Sequence, residues 1–152
     1  IRVFGKVYQQ PRLTALYGAE NKTYTYSNIV MQPKPFTQEL LEIKKKLEKI
    51  VAVDFNACLL NLYRDGQDSN GWHSDDEKEL GQNPIIASIS LGQARPFKLR
   101  HKKNKALRHK IILENGSLLL MKGKTQHFWQ HQIPKTSKAI GERINLTFRI
   151  LK

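Results

Sequence analysis

Eight consecutive residues near the C-terminal end, Arg143-Ile144-Asn145-Leu146-Thr147-Phe148-Arg149-Ile150, alternate strictly between polar and apolar. A strand points successive side chains to opposite sides, so this pattern sorts into two faces only if the segment is extended. One face then holds Ile144, Leu146, Phe148 and Ile150, and the other Arg143, Asn145, Thr147 and Arg149. The chain must therefore build a sheet with two chemically different sides. A solvated outer surface accounts for the polar side. So does a floor for a dicarboxylate, because arginine presents forked donors that match carboxylate oxygens.

Other segments extend the same architecture. Phe55–Tyr63 alternates, Ile85–Leu91 reads as a buried strand, and Phe97–His101 and Lys110–Leu113 have hairpin length. Ser117–Met121 follows Asn115-Gly116, a tight-turn signal typical of hairpins. Phe128–Gln132 and Thr23–Met31 complete the strands. One amphipathic helix is expected over Phe36–Val51, capped by Thr37, with Leu40, Ile43, Leu47 and Ile50 at helical spacing. Its other face carries Lys44, Lys45, Lys46 and Lys49 and reads as solvated. About seven strands and one helix imply a curled sheet sandwich or barrel with the helix packed outside.

The 152 residues contain no internal repeat or flexible linker, so a single domain over residues 1–152 is expected. The first residue is Ile1 rather than Met, and an N-terminal segment beyond it is expected. With 26 Lys and Arg against 13 Asp and Glu, the net charge of +13 calls for a polyanionic partner. No apolar run reaches the roughly 18 residues of a membrane span. A lone cysteine, Cys58, cannot form an internal disulfide, and an intracellular location is expected, cytoplasmic in a bacterium or nuclear in a eukaryote.

A metal site is suggested by His73-Ser74-Asp75. On an extended strand end, positions i and i+2 point the same way, so both side chains reach one ion. A second histidine would complete two imidazoles and one carboxylate, the face used by non-haem Fe(II) oxygenases. Zinc hydrolases fit the same ligands. Five His and five Asp make one such pair unremarkable by chance. Both His127 and His131 have the right parity for the third ligand, and spacing does not choose between them.

Taken in order, PRLTALYG (11–18), TYTYS (23–27), FNACLLNLYRDG (55–66), WHSDDE (72–77), PIIASISLG (84–92), NGSLLLMKG, WQHQIP and RINLTFR resemble the AlkB family of iron- and 2-oxoglutarate-dependent nucleic-acid demethylases. The subgroup is that of the human AlkB homologues two and three. The resemblance implies a double-stranded β-helix, or jelly roll, with Fe(II) bound by His73, Asp75 and His131. It implies 2-oxoglutarate on Asn61, Tyr63, Arg143, Asn145, Thr147 and Arg149, with O2 as the second cosubstrate. The implied reaction is oxidative demethylation of 1-methyladenine and 3-methylcytosine, releasing formaldehyde, succinate and CO2. An RNA demethylase or hydroxylase of the same chemistry, and a non-catalytic nucleic-acid-binding jelly roll, are the alternatives.

On the substrate side, the resemblance implies that Tyr26 and the His73 ring sandwich the damaged base, with Tyr24 close by. Asp76 and Glu77 match positions that face it; carboxylates suit these bases because both are cationic. Phe4, in Val3-Phe4-Gly5, resembles an aromatic wedge inserted into a duplex, and Arg12 would follow as a backbone or gap contact. Six Lys or Arg lie within Arg100–Lys110, a hairpin able to grip phosphate. The expected partner is DNA, or RNA, carrying alkylated bases, met by a monomer with no membrane involved.

Overall fold

A computed structural model describes residues 2–3, 6–7, 11–26 and 28–152 of the chain, the first two pairs by backbone alone. The strands are β1 (Arg2–Val3), β2 (Lys6–Val7), β3 (Leu13–Gly18), β4 (Tyr24–Tyr26), β5 (Ile29–Met31), β6 (Ala57–Tyr63) and β7 (Asn70–His73). They continue with β8 (Ile86–Gly92), β9 (Arg95–His101), β10 (Arg108–Leu113), β11 (Leu118–Met121), β12 (Trp129–Ile133) and β13 (Arg143–Arg149). Helix α1 (Gln38–Val51) precedes β6, and a single helical turn, α2 (Thr125–Phe128), precedes β12.

Two antiparallel sheets carry the molecule. The larger has the order β11-β8-β13-β6-β3 and the smaller β10-β9-β12-β7. They form the expected jelly roll, mainly β, with the helix outside. Between them lies a core that includes Leu59, Ile86, Phe97, Leu113, Met121 and Ile133. On the far side of the larger sheet, α1 seats Leu40 and Leu47 against Phe55, Cys58, Ala87, Leu146 and Phe148. The helix starts where Thr37 accepts a hydrogen bond from the Leu40 N–H at 3.2 Å, and ends at Ala52 in the left-handed region. Its lysine face is not uniformly solvated, because Lys44 pairs with Glu48 and, at 2.9 Å, with Asp54. No helix among the described residues is long and apolar enough to cross a membrane.

Three local expectations change. Thr23–Met31 is not one strand: β4 and β5 form a small hairpin, with Asn28 at φ 62°. Asparagine tolerates that left-handed conformation where most residues do not. Asn115-Gly116 does turn the chain, with Gly116 at φ 77°, but it joins β10 to β11, which lie in different sheets. β3 also forms the edge of the larger sheet, although its LTALYG sequence alternates too weakly to mark a strand.

The pairing fixes which side chains meet. β13 lies between β6 and β8, with Arg143 opposite Tyr63, Asn145 opposite Asn61, and Asn145 and Thr147 opposite Ser90 and Ser88. All four polar residues of β13 are buried and face the smaller sheet. The solvated reading of this face is therefore wrong. It is Ile144, on the opposite side, that is 40% exposed.

Candidate metal and cosubstrate centre

On the smaller sheet, His73 of β7 and His131 of β12 are directly opposite, their ring centres 4.2 Å apart. Asp75 leaves the end of β7 and turns in beside them. Its backbone N–H is held by the Gln126 side chain at 2.9 Å, and the neighbouring Ser74 hydroxyl donates to the Trp129 carbonyl at 2.7 Å. Ligand atoms from His73, Asp75 and His131 all lie within 4.8 Å of one another. Each histidine Nε2 stands 3.6 Å from an Asp75 oxygen. His73 Nδ1 lies 2.7 Å from the Gly71 carbonyl. Donating there places the acceptor lone pair on Nε2, which an ion would take in place of its long 3.4 Å contact with Asn70 Nδ2. His127 lies in α2 and is exposed. The helical turn breaks the strand parity that made it equivalent to His131.

The protonation states suit a cation. Burial works against the Asp75 carboxylate, but Arg149, with His131 and His73, prevails and holds its pKa at about 2. Burial lowers His131 to about 4, against the pull of Asp75, so its imidazole is neutral at pH 7. Phe97 stacks on the His131 ring at 5.0 Å and shields it.

Beyond the triad, one cleft is lined by Tyr26, Asn61, Tyr63, Arg143, Asn145, Thr147 and Arg149 as well as the triad. Arg149 reaches Asp75 Oδ1 at 3.3 Å and donates to the Tyr24 hydroxyl. Arg143 spends one donor on Ser90 Oγ at 2.8 Å; its Nε and Nη1 are buried with no hydrogen-bond partner among the described residues. The Tyr63 ring lies between Arg143, 5.1 Å away, and Arg95, 5.4 Å away. Asn145 and Thr147 are held in a chain in which Thr147 Oγ1 donates to Asn145 Oδ1 at 2.7 Å and Asn145 Nδ2 to Ser88 Oγ at 2.6 Å.

The sequence pattern of the 2OG-Fe(II) oxygenase superfamily matches residues 5–149. The chain belongs to that superfamily. Within it, the chain falls in the AlkB family, with homologues two and three. It is 48% identical over 151 residues to the alpha-ketoglutarate-dependent dioxygenase alkB homolog 3 of Bos taurus, covering 93% of this chain and 52% of that protein. Against the DNA oxidative demethylase ALKBH2 of Homo sapiens it is 40% identical over 156 residues, covering 98% and 60%. The chain thus spans about half the length of the curated relatives it matches. A solved structure, that of OsALKBH1, superposes with a TM-score of 0.68 over 90% of this chain and 77% of its own, at 19% identity, and shares the fold.

Fe(II) and 2-oxoglutarate, the superfamily's metal and cosubstrate, fit the residues present. Asp75 Oδ1 is buried and meets Arg149 at 3.3 Å outside hydrogen-bonding geometry, so it keeps a lone pair that a metal ion could take. The two unpaired Arg143 donors are what a buried dicarboxylate end would engage, and Tyr63 and Asn61 stand beside them.

The residues implied on the substrate side are dispersed. Tyr26 lines the cleft, but its ring meets His73 edge-on, at 87° and 6.5 Å, so the two do not stand as a parallel sandwich. Tyr24 is fully buried behind it. Arg12 is also buried, and donates to Asn61 Oδ1 at 2.8 Å, the Tyr26 hydroxyl at 3.1 Å and the Ser69 carbonyl at 3.3 Å. It braces the cleft wall and does not face a duplex. Glu77 is half-buried, and burial together with Asp75 raises its pKa against the pull of Arg149. Asp76 is exposed, 3.5 Å from Lys102 Nζ. Phe4 lies outside the described residues. Ser88, Ser90, Arg95 and Gln126 were missed in the sequence; the alternation in Ile86-Ala87-Ser88-Ile89-Ser90 was the available signal for the two serines.

Proposed function

We propose that this chain oxidatively demethylates N-alkylated nucleobases in DNA, 1-methyladenine and 3-methylcytosine, restoring the base with release of formaldehyde, succinate and CO2. One observation carries the reading: the metal triad and the unpaired Arg143 donors share a cleft, and the exposed Asp76 carboxylate directly follows the ligand Asp75, in a chain of net charge +13. Such a distribution suits a cationic base carried on a polyanion. The names of the relatives, alkB homolog 3 and DNA oxidative demethylase ALKBH2, support the same substrate class.

In this reading His73, Asp75 and His131 would hold the iron, with 2-oxoglutarate in the same cleft. The bound group supplies the oxidising chemistry at the N-methyl carbon. Arg143, with Tyr63 and Asn61, fixes the far carboxylate, and Arg149 secures Asp75 in its ionised form. Tyr26 and His73 flank the base, which must leave the stack to reach the iron. Phe97 and the apolar core behind His131 keep water from that side of the metal.

The test is formaldehyde release from oligonucleotides carrying either lesion in single-stranded DNA, duplex DNA and RNA. DNA should yield formaldehyde in step with succinate; iron and 2-oxoglutarate binding without formaldehyde would refute the proposal. An RNA-only signal would transfer the activity to RNA. Asp75→Ala should abolish turnover and leave nucleic-acid affinity broadly intact.

A further inference from the structure

The rear of the smaller sheet carries a block of cations that the cleft does not use. Arg100 stands opposite Arg108 and Lys98 opposite Lys110 across the β9–β10 pair. Gln130 and Gln132 of β12 flank Arg100 and Lys98 on the other side. His131 pairs with Leu99, so this set faces away from the metal ligands. Trp72 shares the rear side, with the Arg100 guanidinium 4.3 Å from its ring centre and Arg100 Nε donating to Gln130 Oε1 at 3.0 Å.

The four cations form a two-by-two block, with steps of roughly 4.8 Å between strands and about 6.8 Å along them. Among the described residues no ion pair involves any of the four. Like charges directly opposite each other destabilise a sheet, and a bound polyanion would relieve the repulsion. The block is also connected to the cleft. Lys102 approaches Asp76, the residue after the ligand Asp75, Lys103 and Lys105 are exposed at the hairpin tip, and Arg108 begins the rear block.

We propose that the rear face of the smaller sheet is a second nucleic-acid-binding surface, taking the backbone of a single strand that runs from the cleft over the β9–β10 hairpin tip. The direction of that path rests on the nucleobase reading of the cleft; binding to the rear face needs no turnover. A single strand is favoured over a duplex because a duplex, with a persistence length of about 150 base pairs, does not fold around a hairpin tip. A polynucleotide is favoured over an acidic peptide because the Arg100–Trp72 stack offers a flat surface on which a base can lie.

The test compares the wild type with Lys98→Gln/Arg108→Gln/Lys110→Gln. An unmodified 20-nucleotide single strand is followed by fluorescence anisotropy across a salt series. Three lost phosphate contacts at about 0.7 each should reduce the salt slope by roughly 2 and weaken binding roughly tenfold or more. Turnover of a methylated trinucleotide, too short to reach the rear, should be unchanged. The urea midpoint should hold or rise, since repulsion has been removed. Should the triple variant misfold, Arg108→Gln/Lys110→Gln on the edge strand should give about two thirds of the change in slope. An unchanged slope, an equal loss on the trinucleotide, or poly-glutamate binding as tight as that of an oligonucleotide of equal charge would overturn the proposal. Absent formaldehyde with a changed slope would instead count only against the demethylase reading.

Discussion

Replacing Arg95 by methionine should destabilise the protein far more than an arginine outside the cleft would suggest. The residue is 1% exposed, and its guanidinium has no carboxylate partner among the described residues. It donates instead to three carbonyls, Asp65 at 3.2 Å, Asp68 at 2.8 Å and Pro134 at 2.9 Å, tying the loop after β6 to the loop after β12. Methionine keeps the unbranched stem about as far as Nε and removes every donor. Hydrogen bonds from a charged group contribute about 1.5–3 kcal/mol each, and a carbonyl left buried and unpaired costs a further share. Two short bonds dominate, because the Asp65 contact is the longest. The relief of an unneutralised buried charge offsets part of the loss, which leaves a net cost of about 3 kcal/mol. With a urea slope of about 2 kcal/mol per molar, the midpoint should fall by about 1.5 M, read by the fluorescence of Trp72 and Trp129. Arg95→Lys should recover at most half, since an ammonium cannot span both loops as a planar fork does. Tyr63 also loses one of its two flanking guanidinium groups, so 2-oxoglutarate affinity measured by calorimetry should drop in the variant while metal affinity holds. A midpoint shift below 0.5 M, or full recovery by lysine, would refute the bracing role.

Arg143→Lys should weaken 2-oxoglutarate binding by roughly 10- to 100-fold, the equivalent of one or two charged hydrogen bonds, with iron affinity retained; equal loss of both in equilibrium titrations would contradict the assignment of its free donors. Metal-free protein should lose stability in acid. The folded pKa of His131, about 4, lies below its unfolded value of 6.5, so the unfolded chain binds the extra proton first. That contribution, about 3 kcal/mol, is present above pH 6.5 and lost as the pH falls to 4. Asp75, held at about 2 against 3.8, acts in the same direction below pH 3.8, and urea titrations at pH 7, 4 and 2 should show both steps. Burial raises the Cys58 thiol to about 12, so a thiol reagent at pH 8 should label it at the rate of unfolding, and rapid labelling of the native protein would contradict its place under α1.

The helix was legible almost to its ends because cap, period and charge agree in one short segment. The polar face of β13 was legible as a face, but not as an interior one. Alternation tells which residues share a side and is silent on which side meets another sheet. His127 and His131 were inseparable for a related reason: parity presumes an unbroken strand, and α2 interrupts it between the two. Arg12 and Arg95 lay beyond the sequence altogether. A buried arginine is recognised by its acceptors, and those acceptors are backbone carbonyls or side chains up to 57 positions away. Ser88 and Ser90 could have been found by reading β8 against β13 as partners rather than as separate strands.

The direct opposition of His73 and His131 has a bearing on how this chain can change. Their separation is set by neighbouring strands, not by the length of chain that joins them. Residues 76–128 can therefore lengthen or shorten at their turns without moving either ligand. One residue gained inside β7 or β12 would rotate an imidazole to the rear face and eliminate metal binding in a single step. Iron affinity is thus a sensitive readout of strand alignment in any variant of this domain, and a shuffled or grafted hairpin can be screened by that measurement alone.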